Sequence, residues 1–430
     1  MNNFVQNLFK IIFPFYPFWA WFFSFFTNKG FGFFFSIFLL PIAIYLLTHK
    51  KNSLPKYLCF FILFTIYHIT SAFINNTIPA STHWFYFIFS DINVLGCIVL
   101  TIVEITTFEK NFIAKMNQYL FLTVIVSLIV SVIQIRNPLF FFNVSGDADW
   151  GLGYIDENRN FSIYSWINYH SLGMSFPILV SILISEYNTA HKSSRSIIVF
   201  LFGFIVCFLS RYRFAMISAI IVSSQMIFTS SKSFLGKLSL VFIALSSILL
   251  VGYISEKLGF KIEEVISNRI LETDSDMASA NARLTSYNVF FLKFPEHPWF
   301  GVGPETRDDV LALLEEGTSI IHVGYLSYLY YYGVFGALLL FISLFCLLQR
   351  AWIVGKTTGF WGSFYGLLAF CIANLSFVYF DFSEMGIVIA LIYLRYYNCK
   401  SSLSADKTEF VTDDTSLITN KAYLAEKTNL

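Results

Sequence analysis

The sequence predicts an all-α, polytopic integral membrane protein of about 12 spans with one large helical loop, and three observations predict it. Hydrophobic residues make up 56% of the chain and charged ones only 13%, too little polar surface to cover a soluble globule of this length. Apolar runs of span length recur from one end of the chain to the other, separated by short polar joints. The one long exception, 257–320, is polar and acidic and runs directly into IHVGYLSYLYYYGVFG.

Taken in order, the apolar runs fall at 8–27, 31–48, 55–75, 82–104, 118–135, 165–185, 196–210, 212–230, 238–256, 321–348, 359–380 and 383–398. The first follows MNNFVQNLFK and contains two prolines but no small-residue cleavage site, so it reads as an uncleaved span. The hairpins at 196–230 and 359–398 include spans near the lower length limit for crossing the hydrocarbon core. Lys and Arg in the joints set the orientation: one set of joints holds eleven of them, including Lys50, Lys51, Lys110, Lys192 and Arg350, against five in the other set. The richer set is cytoplasmic. Both termini then lie inside, and 136–164 and 257–320 lie on the outer face.

The expected organisation is a membrane bundle over 1–256 (nine spans), a periplasmic loop domain over 257–320, three further spans over 321–398 and a disordered cytoplasmic tail over 399–430. Within the loop, Ile262, Val265, Ile266 and Ile270 have helical spacing, which suggests an amphipathic helix. A second helix starts near Ser279, carries Arg283, Tyr287 and Phe290 on one face and stops before Pro295. Thr306 can cap a third that ends at Gly317. Between them HPWFGVGP forms a tight turn in which Gly301 and Gly303 permit close backbone approach.

A net charge of +1 gives no sign of a nucleic-acid partner. The six cysteines form no CxxC pair and none lies in the large loop, so they suggest neither a disulfide framework nor a metal site. The loop carries eleven acidic residues against six basic ones. An anion there must therefore be held by individually placed arginines, whose planar fork gives phosphate two parallel charge-assisted hydrogen bonds. Arg213, with Arg211 beside it, sits at the outer end of a hairpin and either snorkels to the headgroups or lines a cavity. His322 lies where the loop re-enters the membrane. It is either an interfacial residue or, with an ordinary pKa of about 6.5, a proton acceptor. His297 competes for that role, although a His-Pro turn has its own structural use. In the outer joint 136–164, Trp150 and Tyr154 among Gly, Asp and Asn suit either sugar stacking or an interfacial belt. Asp91, placed mid-span where an unpaired carboxylate costs roughly 2.5–3.5 kcal/mol, must be protonated, paired or facing water. His68 and His170 read as interior polar contacts, and Asp381 and Glu384 as a solvated turn.

Three pieces of the chain resemble the O-antigen ligase and polymerase family of bacterial surface-polysaccharide assembly. They are Leu209-Ser210-Arg211-Tyr212-Arg213-Phe214-Ala215, then Asn281-Ala282-Arg283 followed by His297-Pro298-Trp299-Phe300-Gly301-Val302-Gly303, then His322-Val323-Gly324-Tyr325-Leu326 with the glycines Gly333 and Gly336. The family's Gly-Ser-Arg-Gly stands here as Arg-Tyr-Arg-Phe, which leaves Arg211 and Arg213 both open as the signature arginine, and Val323 replaces an asparagine. The resemblance implies glycan transfer from undecaprenyl pyrophosphate at the periplasmic face of the inner membrane, as part of lipopolysaccharide biosynthesis, with no metal or other cofactor. It implies pyrophosphate binding by Arg213, Arg283 and Arg211 and proton acceptance by His322. His297, Trp299, Trp150 and Tyr325 are the candidate glycan contacts. The acceptor is another lipid-linked repeat unit in a polymerase, toward which the acidic loop tilts the reading, or lipid A-core in a ligase. A chain-length regulator and other assembly proteins are the implied partners. Two other classes stay open: a lipid-linked oligosaccharide transporter or flippase, and a non-catalytic glycan-binding partner of an assembly complex.

Overall fold

Long apolar runs can satisfy their backbone groups in lipid only as helices or closed barrels. Helices are the regular structure found, and there is no strand among the described residues. The computed structural model describes residues 2–17, 31–49, 53–78, 83–137, 139–141, 160–166, 171–210, 213–229, 277–304, 308–314, 321, 323–375 and 385–400, with isolated positions at 236, 239, 242, 246 and 253. The expected ninth span, the expected amphipathic helix around 262–270 and the tail from 401 lie outside them or touch them only at those isolated positions.

In chain order the helices are α1 (Asn2–Ile12), α2 (Phe31–His49), α3 (Lys56–Ile74), α4 (Trp84–Ser90), α5 (Ile92–Ile105), α6 (Lys110–Arg136) and α7 (Ser171–Thr189). They continue with α8 (Ser193–Leu209), α9 (Arg213–Thr229), α10 (Met277–Lys293), α11 (Asp308–Leu311), α12 (Tyr325–Thr358), α13 (Gly362–Ala373) and α14 (385–400). By length and composition α3, α6 and α12 can each cross a membrane, and α4 with α5 can do so as one broken span. Several others, such as α8 and α13, are apolar but shorter.

The 82–104 segment is not the single straight helix expected. It bends by 52° between α4 and α5, because Asp91 leaves the helical region (φ −67°, ψ 128°) and accepts the amides of Asn93 and Val94 at 2.8 and 3.2 Å. A short acceptor side chain here replaces ladder bonds with a local cap. The run expected at 8–27 is not one helix over its described part, since α1 opens at Asn2, ends at Ile12 and is followed by a turn at 13–15, and 18–27 lie outside the described residues. The helix α6 extends to 27 residues, about 40 Å at 1.5 Å per residue.

The centre of the bundle is α7, buried continuously from Leu172 to Tyr187, together with α14, buried from Met385 to Leu394. Both are mainly apolar around their circumference, as an enclosed helix must be, and the few polar residues of α7, such as Ser181 and Glu186, are hydrogen-bonded. Small residues let their neighbours approach closely. A Cβ on Gly362 would lie 2.7 Å from the Ile182 Cα, and one on Gly366 would lie 3.0 Å from the Ile178 Cα, so a Gly-x-x-x-Gly face of α13 sits directly on α7. Ser181 donates to the Gly362 carbonyl at 2.8 Å, and Gln225 of α9 donates to the Ser181 carbonyl at 3.0 Å. A second unit packs α3 on α12 and α2 on α5.

Two polar ties lock these units at the ends that carry the excess of Lys and Arg. In one, the Arg350 guanidinium of α12 grips the Glu104 carboxylate of α5, with the Tyr57 hydroxyl donating to the same carboxylate at 2.7 Å. In the other, Glu186 of α7 accepts from Tyr397 at 2.6 Å and from Asn117 at 2.8 Å. Removing one partner of a buried pair strands the other charge, at a cost of about 3–5 kcal/mol. Glu104→Ala should therefore destabilise the protein by about 3 kcal/mol or more in thermal unfolding in nanodiscs, and the double change Glu104→Leu, Arg350→Met should recover most of the loss.

Candidate functional site

Near its N-terminal end α12 is not one rod. Gly333 adopts φ 62°, ψ −174°, a conformation that L side chains avoid, and the break frees amides and carbonyls of the helical ladder. The turn 297–303 takes them up. Val334 N donates to the Pro298 carbonyl at 2.8 Å and Phe335 N to the Trp299 carbonyl at 3.2 Å, while Gly303 N donates to the Tyr331 carbonyl at 2.9 Å. Contact this close requires two facing glycines. A Cβ on Gly301 would lie 2.3 Å from Tyr331 O, and one on Gly333 would lie 2.3 Å from the Trp299 carbonyl carbon. From α3 the Tyr67 hydroxyl bridges both pieces, 2.7 Å from Phe300 O and 3.0 Å from Tyr332 O.

Behind the kink lies a buried polar chain. His68 Nε2 is 2.7 Å from Asp91 Oδ2, and its Nδ1 is 2.7 Å from the Tyr332 hydroxyl. The two ring nitrogens thus bridge the carboxylate and the tyrosine hydroxyl, so one chain joins α3, the α4–α5 break and α12. Asp91 is paired, one of the three states open to it from the sequence, and His68 is the interior polar contact expected.

The loop helix α10 begins at Met277, two residues earlier than expected, and ends at Lys293, before Pro295. It docks through Ser286, Val289 and Phe290, which are buried. On the same side Arg283 is half-buried, with its guanidinium carbon 5.9 Å from the centre of the Phe214 ring, within cation–π range. Tyr287, expected to share that face, is instead exposed. Phe214 directly follows Arg213, the first residue of α9, so Arg283 reaches the head of the hairpin that carries Arg213. The described end of the 136–164 joint arrives at the same corner: Asn160 N donates to the Ser210 carbonyl at 3.3 Å, and Ser162 is held on α6 by Gln134. At the other end of α10, Asp309 at 2.8 Å and Glu296 at 3.2 Å raise the Lys293 ammonium above the usual lysine range and tie α10 to α11.

The structure thus gathers Arg283, Phe214, the start of α9 and Asn160 at one corner. The turn with His297 and Trp299 follows from the end of α10. His297 and Trp299 are exposed, and the Trp299 ring lies 5.9 Å from that of Phe335. Tyr325 opens α12, and its hydroxyl donates to the Cys371 carbonyl of α13 at 2.7 Å. His322, Arg211 and Trp150 lie outside the described residues, as do the side chain of Arg213, His170, Asp381 and Glu384. The third loop helix is shorter than expected, four residues from Asp308 to Leu311. Phe214, Tyr67 and Tyr332 were not singled out from the sequence. The signals were present in the aromatic that follows Arg213 and in the Tyr-Tyr-Tyr-Gly run.

These features define the class: a helical membrane protein in which an arginine-bearing helix packs at the head of a hairpin of two apolar helices. Residues 194–341 match the family model described as O-antigen ligase, and the match supports an O-antigen ligase/polymerase-like family. The matched stretch runs from α8 to just beyond the kink of α12 and contains all three sequence pieces on which the resemblance rests. No curated protein matches the chain.

Gly333→Ala meets backbone on one side and a φ,ψ pair that only glycine adopts readily on the other, the latter alone worth roughly 1–3 kcal/mol. It should lower stability by about 2 kcal/mol or more in thermal unfolding, whereas Gly359→Ala, also at positive φ but with nothing within 4 Å, should lose only the backbone part.

Proposed function

We propose that this protein is an O-antigen polymerase, transferring a glycan from undecaprenyl pyrophosphate to a lipid-linked repeat unit at the periplasmic face of the inner membrane. The observation that carries the reading is the position of Arg283 over Phe214, which puts one arginine beside the backbone position of a second, Arg213, within the stretch matched by the family. Two guanidiniums that stay protonated at any working pH suit a pyrophosphate. The ring of Phe214, 5.9 Å from its guanidinium carbon, helps to fix the first in place by cation–π attraction.

In this reading the acceptor hydroxyl oxygen attacks the anomeric carbon of the donor sugar while the bond from that carbon to the pyrophosphate oxygen breaks. The electron pair leaves with undecaprenyl pyrophosphate, where Arg213 and Arg283, with Arg211 as the alternative to Arg213, stabilise the developing charge. His322 takes the proton from the attacking hydroxyl. His297 is proposed as a glycan contact, with Trp299 meeting a sugar at the level of the lipid headgroups and Tyr325 and Trp150 as further contacts. A chain-length regulator is the proposed partner.

The ligase reading, with lipid A-core as acceptor, is favoured by one specific observation, the description of the matching family model itself. A single reconstitution separates the two. Purified protein in lipid with undecaprenyl pyrophosphate-linked repeat units alone should yield a ladder of products, and Arg283→Ala should lower its rate by about 10²-fold or more, the scale of losing one preorganised charge-stabilising donor. Product only when lipid A-core is added would establish the ligase. No product under either condition would return the transporter or the non-catalytic partner.

A further inference from the structure

The loop helix α10 is apolar on two sides. Its bundle side is buried through Ser286, Val289 and Phe290. Its opposite side carries Leu284 at 60%, Tyr287 at 40%, Phe291 at 66% and Leu292 at 61% exposure, with Asn288 the one exposed polar residue among them. Positions 284, 287 and 291 follow the i, i+3, i+7 spacing of a continuous stripe. A helix bathed in water on its outer side would carry polar residues there, and a patch of this kind marks an interaction surface.

Continuity identifies what covers it. Past the kink, the outward side of the membrane-spanning α12 exposes Phe335, Leu338 and Phe345, the surface such a helix offers to lipid. The turn that follows α10 extends this surface beyond the kink: the exposed Phe300 ring stacks on Phe335 at 5.3 Å and the Trp299 ring lies against it at 5.9 Å. Aromatic side chains concentrate where hydrocarbon meets headgroups. The charged cluster of Lys293, Glu296 and Asp309, at the C-terminal end of α10, marks the edge that water reaches.

We propose that α10 and the turn 297–303 are not a water-borne loop but a membrane-immersed element, seated in the headgroup–acyl boundary of a phospholipid bilayer through Leu284, Tyr287, Phe291, Leu292, Trp299 and Phe300. An amphipathic helix lying in this boundary buries its apolar side about 5–10 Å deep. Arg283, on the bundle-facing side, then lies at headgroup level. On the reading given under Proposed function, a lipid-linked pyrophosphate diffusing in the leaflet meets Arg283 without leaving the membrane.

The test uses the unmodified protein in vesicles of phosphatidylethanolamine and phosphatidylglycerol doped with a phospholipid carrying a photoactivatable diazirine near the top of its acyl chain, with adducts mapped by mass spectrometry. Adducts on 284–292 and 299–300 are expected alongside those on 335–345 of α12, with none on 308–314. Labelling of 335–345 without labelling of 284–292 would overturn the proposal. As a second measurement, a spin label at Phe291→Cys should favour collision with dissolved oxygen over a water-soluble nickel chelate, and one at Asp308→Cys the reverse. Equal nickel accessibility at the two positions, or protection of 291 from both probes as a second copy of the chain would give, would also overturn it. Neither measurement requires turnover, so a failed glycan-transfer assay leaves this result decidable.

Discussion

Two glycines placed back to back govern this structure. Gly301 in the loop turn and Gly333 in α12 each sit at positive φ, and a Cβ on either would run into the backbone of the other segment. Without that contact the broken ladder of α12 would leave amides and carbonyls unpaired inside an apolar bundle, at roughly 1–3 kcal/mol for each group. The turn supplies the partners, so the loop and the membrane helix complete one another's backbone. The position of His297 and Trp299 relative to the bundle follows from this exchange.

The buried polar chain of Asp91, His68 and Tyr332 backs the same kink. Tyr332 precedes Gly333, and its ring is held both by the histidine and by an edge contact with Phe64 at 5.1 Å. Asp91 serves twice, capping α5 and pairing with His68, so the bend in one membrane segment and the kink in another are joined through a single imidazole. At the opposite end of the bundle, the Glu104–Arg350 and Glu186–Tyr397 ties hold the helices against sliding. Lipid contributes little to choosing between packed arrangements of apolar helices, and small-residue contacts and polar ties make that choice.

Much of this was legible in the sequence because bilayer thickness imposes a length scale. The runs around 31–48, 55–75, 196–210 and 212–230 reappear as helices with ends shifted by a few residues. The stop of α10 ahead of Pro295 and the tight turn at Gly301 and Gly303 were also readable, since proline and glycine act through local geometry. The break at Asp91 was not, because hydropathy passes over a single carboxylate whose effect is to cap a helix. The break at Gly333 was not either, since glycine within a helical run bends it only when another segment arrives to take up the freed groups. For the candidate site, Arg283 could be read from its motif, whereas its platform Phe214 depends on how α10 docks on α9. The exposed side of α10 shows the same limit from another direction. Eleven acidic residues made the loop look water-borne as a whole, while the side of one helix within it is apolar.

The central claim is that Arg283, held over Phe214 at the head of α9, belongs to a pyrophosphate site. Equilibrium binding of undecaprenyl pyrophosphate to the protein in nanodiscs, followed by native mass spectrometry and compared with Arg283→Ala, tests it most directly. A hydrogen bond to a charged group is worth about 1.5–3 kcal/mol, so affinity should fall by about 10- to 100-fold in the variant, with undecaprenol binding unchanged. Equal affinity of the two proteins for the pyrophosphate would contradict the account.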